Sequence, residues 1–372
     1  MQARFEIPNS PLIFFWRALN QSPAPRMDQI GVLMTIEPRL VIVAIVSLVL
    51  CGLGNAQPRR TQVSQPPSGT PNEAQIKERL NAWAIGLAGG LLEGAPIRFA
   101  TDIARVVNDG GVMHVLPIVT RGPTENVNDL LYLKGVDAAI INSDSLEEYK
   151  SQVPQIRRRI AYIINLFPSE LHVFVRPEIG SLQDLVGKKV NFNTHGTAAA
   201  YSGPIIFSRL GLEVEKMFIP HPLALEQLRR GEIAGVVFVT SKPVDAFLKG
   251  RWDAGYKLLP VEYGSRFEDY YLPSFLDFTD YPNLVAKGER IPTIAVPTVL
   301  TAYNWRVGSD RYRRVARFVD ELFSRVDKLQ SPGFDAKWKD VNLRAKVPGL
   351  ERFRAAQEWI DRSSVAERSE PQ

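Results

Sequence analysis

Residues 186–212 read VGKKVNFNTHGTAAAYSGPIIFSRLGL, and this pattern predicts a strand, a turn of small residues and a helix. Val190 and Phe192 alternate as in a half-buried strand, and Ile205, Ile206 and Leu210 form the apolar run of the following helix. A turn this free of bulky side chains lets a carboxylate or phosphate approach the N–H groups at the helix N-terminus. An ordinary strand-to-helix connection with a threonine cap would explain the same residues.

Comparable units occur earlier in the chain, between residues 83 and 145. Trp83, Ile85 and Leu87 alternate, MHVLPIVT forms a second strand, and residues 136–141 form a nearly all-apolar third strand. Strands and helices that alternate over short connections predict a parallel sheet with right-handed crossovers and ligand sites at the strands' carboxyl ends. The turns expected at those ends comprise residues 88–96, 120–126, 142–145, 193–197 and 240–242.

A second α/β half follows the strand at residues 171–175. It contains a predicted helix at residues 223–230 and a strand at residues 233–239, and the β-rich run 291–302 returns the chain to the first half. Helical patterns alone follow Asp310. We therefore predict an α/β fold of two lobes with a ligand cleft between them. The expected boundaries are residues 73–173 plus 297–372 for lobe 1 and 174–296 for lobe 2, with hinges near 173–176 and 293–298.

Composition limits the class of protein. With 372 residues, 45% apolar and 23% charged, the chain can bury a large core and favours more than one domain. The net charge of +5 is not gathered into a long basic tract, since the longest is Arg157–Arg159. This charge distribution argues against a nucleic-acid partner.

The N-terminal part carries a targeting pattern. The apolar run LVIVAIVSLVLCGL (40–53) is short for a membrane span and lies between Arg39 and the small residues Gly54–Ala56, as in a secretory signal peptide. We expect a secretory signal around residues 34–56 and an over-long start of the sequence within residues 1–56. A Pro- and Ser-rich disordered tether should follow at residues 57–72. The signal predicts a periplasmic location. An uncleaved anchor is the alternative. Cys51 is the sole cysteine, so the exported chain would contain no disulfide.

Several segments together resemble a known family. They are the glycines after the first strand, TRGPTENVNDLLYLKGVDAAIINSD (120–144), SLQDLVGKKVNFNTHGT (181–197) and LEQLRRGEIAGVVFV (225–239). The combination is similar to the TAXI receptors of tripartite ATP-independent (TRAP) transporters, and it covers roughly residues 75–360. The resemblance implies a periplasmic binding protein of type II that captures a small organic acid or amino acid and delivers it to a membrane permease. Leu91 and Leu92 stand where that family usually has aromatic residues.

The candidate ligand is a small anionic or zwitterionic solute. Helix N-termini and hydroxyl groups that converge on one cleft favour a negative charge, and the planar guanidinium of Arg121 suits a carboxylate. Each of these residues also has an ordinary interpretation as a cap, a turn former or a surface charge. The predicted ligand-binding residues are Gly89, Gly90, Thr120, Arg121, Thr124, Asn126, Ser143, Asp144, Thr194, Gly196, Thr197 and Ser241.

Enzymatic motifs are missing from the sequence. It contains no GxSxG, no GxxxxGK[ST] and no GxGxxG, and its four histidines show no HExxH spacing. We therefore predict no catalytic residue, no metal and no cofactor. Two alternatives to a transport receptor remain open: a sensor that engages a membrane signalling partner, and a secreted α/β hydrolase.

Overall fold

Two long strands, β4 (Ile160–Val175) and β10 (Arg290–Tyr303), run antiparallel to each other through the centre of one curled sheet. The computed structural model describes residues 72–111 and 113–369, and all statements of structure below concern this part of the chain. On β10, residues 290–295 and residues 298–302 pair with different strands, and on β4 only residues 170–175 pair with strands of the second lobe. Both strands are almost wholly buried, which accounts for their richness in apolar and β-branched residues.

The first lobe is built around three short parallel strands. After α1 (Glu73–Ala82), strands and helices alternate as the sequence predicts, and a 3₁₀ helix (Ser143–Tyr149) follows the third strand. Three helices from the C-terminal part of the chain pack on the same lobe. The remaining elements are β1 (Ala84–Ala88), α2 (Ala95–Asn108), β2 (His114–Ile118), α3 (Pro123–Tyr132), β3 (Ala138–Asn142), α4 (Ile156–Arg159), α8 (Asp310–Phe323), α9 (Val326–Leu329), a 3₁₀ helix (Ala336–Asp340) and α10 (Arg354–Ser369).

The second lobe repeats this alternation with shorter elements. Its parallel strands are flanked by helices on both faces, and two further strands pair antiparallel with the long central strands. Its elements are a 3₁₀ helix (Leu182–Leu185), β5 (Lys189–Asn191), α5 (Ala198–Arg209), β6 (Glu215–Met217), α6 (His221–Arg229), β7 (Gly235–Thr240), α7 (Asp245–Lys249), β8 (Lys257–Leu259), a 3₁₀ helix (Ser265–Phe267) and β9 (Leu272–Asp277).

The strand order shows how the two lobes share one sheet. It is β2-β1-β3-β10-β4-β7-β5-β6, with β8 added to β4 and β9 added to β10. Strands β1, β2 and β3 are parallel in one half, and β5, β6 and β7 are parallel in the other. In each half, a parallel pair ends at the same edge, so the turns that follow its strands lie close together.

Each half of the sheet is buried on both faces. Along β3, Ala138 and Ile140 face a core formed with α2, α8 and α10, whereas Ala139 and Ile141 face a core formed with α3. Along β7, Val237 faces the core that includes α5, and alternate residues face a core that includes α6. This two-sided burial explains why the strands read as continuous apolar runs.

The predicted α/β fold of two lobes is confirmed, with one adjustment to the first crossing strand. The sequence predicts the first hinge near residues 173–176. Residues 171–175 already pair with β7 and β8, so β4 passes from the first lobe to the second near Glu170. On β10 the passage between the lobes comes between Ala295 and Thr298, within the predicted stretch. The predicted signal, start and tether lie outside the described residues except for Asn72, the last residue of the predicted tether, which caps α1. The lobe boundaries stay predictions.

Candidate functional site

Asn126 ties together the turns that follow the three strands of the first lobe. Its side chain is fully buried, and its Nδ2 donates to the carbonyl oxygens of Gly89 and Ile140 at 2.7 Å each. The hydroxyl of Thr120 donates to Asn126 Oδ1 at 2.6 Å. The hydrogen bonds of this amide group are therefore made within the protein, and they hold the carboxyl ends of β1, β2 and β3 in a fixed arrangement.

The glycine-rich turn after β1 lies beside the turn after β2. The N–H of Thr120 donates to the carbonyl oxygen of Gly90 at 3.1 Å, and the N–H of Gly89 donates to that of Ile118 at 3.0 Å. A Cβ on Gly89 would lie 2.7 Å from Cδ1 of Ile97, so this position accepts no side chain without a shift of α2. Gly90 has more room, with its nearest neighbour at 3.6 Å on Pro96.

The two lobes touch where α3 and α5 begin. Gly122, the residue before α3, has φ +136° and packs so closely on the second lobe that a Cβ would lie 2.6 Å from the carbonyl oxygen of Gly196. Thr124 Oγ1 donates to the same oxygen at 3.4 Å. Thr197 caps α5, because its side chain accepts from the N–H of Ala200. Two helix N-termini therefore meet across the boundary between the lobes.

Deeper in the same boundary lies Asp144, which is 1% exposed. The hydroxyl of Tyr271, from the second lobe, donates to Oδ2 of Asp144 at 3.0 Å. Burial raises the pKa of Asp144 to about 6, although the nearby hydroxyls of Ser202 and Tyr271 and the charge of Arg209 act in the opposite direction. Burial and the neighbouring carboxylate also raise the pKa of Tyr271, which therefore stays a hydrogen-bond donor.

Three polar atoms at this place have no hydrogen-bond partner within the described part of the chain. They are Oδ1 of Asp144, Oγ of Ser143 and Oγ of Ser202, and all three residues are at most 3% exposed. Ser202 lies close enough to Asp144 to favour the ionised carboxyl, but no hydrogen bond of normal geometry joins them. Buried polar groups are normally paired, so this cluster is unusual.

Tyrosines and charged groups surround the cluster. Arg157 of the first lobe lies over the ring of Tyr270 at 4.5 Å, and Arg209 lies over Tyr271 at 5.3 Å. Arg209 is itself held by Asp269 with bonds of 2.7 and 3.0 Å, and Arg157 by Glu147. Both guanidinium groups therefore already have carboxylate partners.

Arg121, the predicted charge partner of the ligand, stands at the rim. Its side chain is 74% exposed and forms an ion pair with Glu125 at 3.1 Å. Its Cβ nevertheless packs within 2.9 Å of where a Cβ on Gly196 would be, so it lies at the contact between the lobes. Its role in ligand binding stays a prediction.

The other predicted site residues occupy less central positions. Thr194 accepts from the N–H and the hydroxyl of Thr197 and so shapes the turn before α5. Ser241 is buried at the end of β7, next to Lys242, whose N–H donates to Glu170 at 3.1 Å. The exposed ring of His195 stacks on Phe218.

Sequence reasoning missed two residues near Asp144. Ser202 sits in the middle of α5, where a small hydroxyl residue carries no distinctive pattern, and Arg209 lies at the end of the same helix. Asp144, two residues after the strand β3, was among the predicted residues, because a buried acid at such a strand end is often functional. No comparable sequence signal marks Ser202 or Arg209.

Buried His172 and partly buried His221 make contacts within the second lobe. Nε2 of His172 bonds to the hydroxyl of Tyr281 at 2.7 Å, and His221 stacks on Phe238. Burial lowers the pKa of His172 to about 3 and that of His221 to about 4. Among residues 72–111 and 113–369, no three His, Cys, Asp or Glu side chains are grouped as metal ligands would be. No helix in these two ranges is both long and apolar enough to span a membrane.

Two α/β lobes are joined by two crossing strands, and a buried polar cluster lies where the lobes meet. Residues 99–329 match the family model described as the NMT1-like family. This match covers well over half of the chain, and the protein therefore belongs to the NMT1-like family.

Other comparisons give weak likenesses. The chain is similar to the arginine-bound form of truncated ArgBP from T. maritima, with 14% identity, TM-score 0.39, and coverage of 68% of this chain and 99% of that one. It is similar to the periplasmic VFT2 domain of Bordetella pertussis BvgS, with 13% identity, TM-score 0.38, and coverage of 70% and 98%. No curated protein matches the chain.

Proposed function

We propose that this protein is an extracytoplasmic receptor that captures a small organic acid or amino acid between its lobes and delivers it unaltered to a membrane permease of the TRAP type. One observation carries the proposal: buried polar atoms of Ser143 and Asp144 in the first lobe and of Ser202 in the second have no hydrogen-bond partner in residues 72–111 and 113–369. A polar ligand of modest size would supply those partners.

The fold supplies the movement that capture needs. The lobes are connected through β4 and β10, and their other contacts in this region are loop and side-chain contacts such as Gly122 with Gly196 and Asp144 with Tyr271. Contacts of this kind can separate while the paired strands stay intact, as in hinge closure around a ligand. Residues 34–56 would direct export to the periplasm.

Capture can be tested with a thermal-shift screen of amino acids and organic acids on the full chain. A solute that binds the folded state at free concentration c stabilises it by RT ln(1 + c/Kd), so the melting temperature rises with the logarithm of the solute concentration above Kd. We expect a rise with at least one solute, which mass spectrometry then recovers unchanged. A solute converted into a product would favour the hydrolase alternative and contradict the proposal.

Delivery is tested separately, by uptake of the identified solute in cells with and without the gene for this protein. Loss of uptake on deletion, restored by the gene, is the expected result. Normal uptake together with a lost transcriptional or signalling response to the solute would favour the sensor alternative. Small-angle scattering checks the movement, since the radius of gyration should fall when the solute is added.

A further inference from the structure

We propose that the solute carries a protonated amino group and that Asp144, with Ser143 and Ser202, receives it between the lobes. This inference rests on the proposed function and narrows it from small acids in general to solutes with an ammonium group.

The geometry of Asp144 is the first argument. One carboxyl oxygen accepts from Tyr271, and the other, Oδ1, has no donor within the described part of the chain although the residue is almost completely buried. A carboxylate oxygen is an acceptor only, so it needs a donor from elsewhere. An ammonium group offers both the donor and the opposite charge.

The number of available acceptors is the second argument. An ammonium group has three N–H donors. Oδ1 of Asp144 and the hydroxyl oxygens of Ser143 and Ser202 are three buried acceptors with no hydrogen-bond partner among the residues that the structure describes. A carboxylate in the same place would instead bring a second negative charge against Asp144, and like charges in a buried site repel strongly.

The surrounding charges point in the same direction. The titratable and charged groups that act on Asp144 or share its surroundings are Tyr201, Tyr271, Glu147, Glu148 and Arg209. Arg209 forms a bidentate pair with Asp269, and it acts on Asp144 only as a more distant charge. The cationic partner of Asp144 is therefore best supplied by the solute.

The test uses pairs of solutes that differ only in the amino group: L-glutamate and L-2-hydroxyglutarate, L-leucine and 2-hydroxy-4-methylpentanoate, 4-aminobutanoate and 4-hydroxybutanoate. Calorimetry on the full chain should show binding by the amino member of at least one pair and much weaker binding by its hydroxy partner. Equal or tighter binding by hydroxy members overturns this inference and leaves the receptor function standing. If no member binds and the wider screen also yields nothing, both proposals fail.

Variants locate the contact. Asp144→Asn should weaken binding of the amino solute roughly 10- to 100-fold, the factor expected for the loss of a charged hydrogen bond. Ser202→Ala, a milder change that keeps the carboxyl, should weaken it roughly threefold to tenfold. Asp102→Asn is the matched control, because that buried carboxyl accepts from Trp338 Nε1 and the N–H of Asp335, well away from Asp144. Unchanged affinity in both site variants would overturn the inference.

The pH dependence gives an independent readout. The pKa of Asp144 is raised to about 6 by burial, so its carboxylate is protonated as the pH falls through that value. Affinity for the amino solute should therefore fall between pH 7.5 and pH 5, whereas the Asp144→Asn variant should show a flatter profile. A wild-type affinity that rises as the pH falls would contradict the proposal.

Discussion

The hydroxyl of Tyr271 and the carboxyl of Asp144 lie 3.0 Å apart across the boundary between the lobes, although 127 residues separate them in the sequence. This hydrogen bond forms only when the second lobe meets the end of β3. It therefore links the relative position of the two lobes to the charge state of Asp144.

Removal of the Tyr271 hydroxyl should change both the pKa of Asp144 and the affinity for the solute. In Tyr271→Phe the Asp144 carboxyl loses a donor that lowers its pKa, so that pKa should rise further above its usual range. We expect weaker solute binding at pH 7.5 and an upward shift of the pH at which affinity is half lost. Calorimetric titration across pH 5–8 measures both quantities. Tyr256→Phe is the control, since that ring packs on Phe174 within the second lobe; an identical effect there would exclude the Asp144 explanation.

Gly122 permits the close contact between the lobes, and a methyl group there should oppose the proposed closure. In Gly122→Ala the added Cβ would lie 2.6 Å from the carbonyl oxygen of Gly196, so the closed arrangement cannot form without a shift. We expect a larger radius of gyration in small-angle scattering and weaker solute binding. Gly308 also has a positive φ, of 86°, but a Cβ there would meet nothing within 4 Å, so Gly308→Ala controls for the cost of a side chain at positive φ without the steric contact. Normal closure in Gly122→Ala would show that the contact does not control the movement.

Asn126 should contribute more to the stability of the fold than to ligand binding. Asn126→Ala removes two donors to buried carbonyl oxygens and the acceptor of the Thr120 hydroxyl. Loss of such bonds with their partners left buried lowers the free energy of unfolding by about 3 kcal/mol. Urea denaturation measures this change, and exposed Asn128→Ala on the same helix serves as control. A stable Asn126→Ala variant with abolished binding would instead favour the direct ligand contact that the sequence suggested.

Glu170 should give the protein a pH-dependent stability. Burial raises the pKa of this carboxyl to about 7, while Lys337 and Lys242 act in the opposite direction. Because the folded-state pKa lies above the unfolded value, the protonated carboxyl stabilises the fold fully below pH ~4.5, and this contribution is lost as the pH rises through about 7.

The Glu170→Gln variant keeps an acceptor for the N–H of Lys242 but cannot ionise. Between pH 4.5 and pH 8, wild type should therefore lose about 3 kcal/mol more stability than the variant. The contributions of His172 and His221, whose pKa values are lowered by burial, are shared by both proteins and largely cancel in the difference. Glu213→Gln, on the surface, corrects for the loss of one charge. Parallel stability profiles for wild type and Glu170→Gln would refute the assignment.

Much of the fold could be predicted because local patterns determine it. Burial and chain direction can be read from a few residues at a time. Examples are the nearly all-apolar β3, the alternation along β1 and the turn before α5. The point on β4 at which its neighbouring strands change could not be predicted. Residues 160–175 are apolar almost throughout, and no local feature marks where one lobe ends.

The candidate site was harder to predict for a different reason. A polar residue after a strand can bind a ligand or serve the protein, and Asn126 and Asp144 look alike in this respect. The structure shows that the amide of Asn126 is taken up by the turns around it, whereas one oxygen of Asp144 is left without a partner in the described residues. Ser202 and Tyr271 join the cluster only through the packing of distant segments, which no pattern in the sequence reports.

The second lobe leaves and rejoins the first on adjacent strands, since Glu170 on β4 is paired with Ala295 on β10. The segment between these two positions is thus an insertion with neighbouring ends, and it carries Ser202 and Tyr271. A chimaera that exchanges residues 171–294 for the corresponding segment of a related protein would leave every strand pairing within the first half intact. Under the proposed function, this exchange replaces Ser202 and Tyr271 together and leaves the backbone that bears Asp144 unchanged.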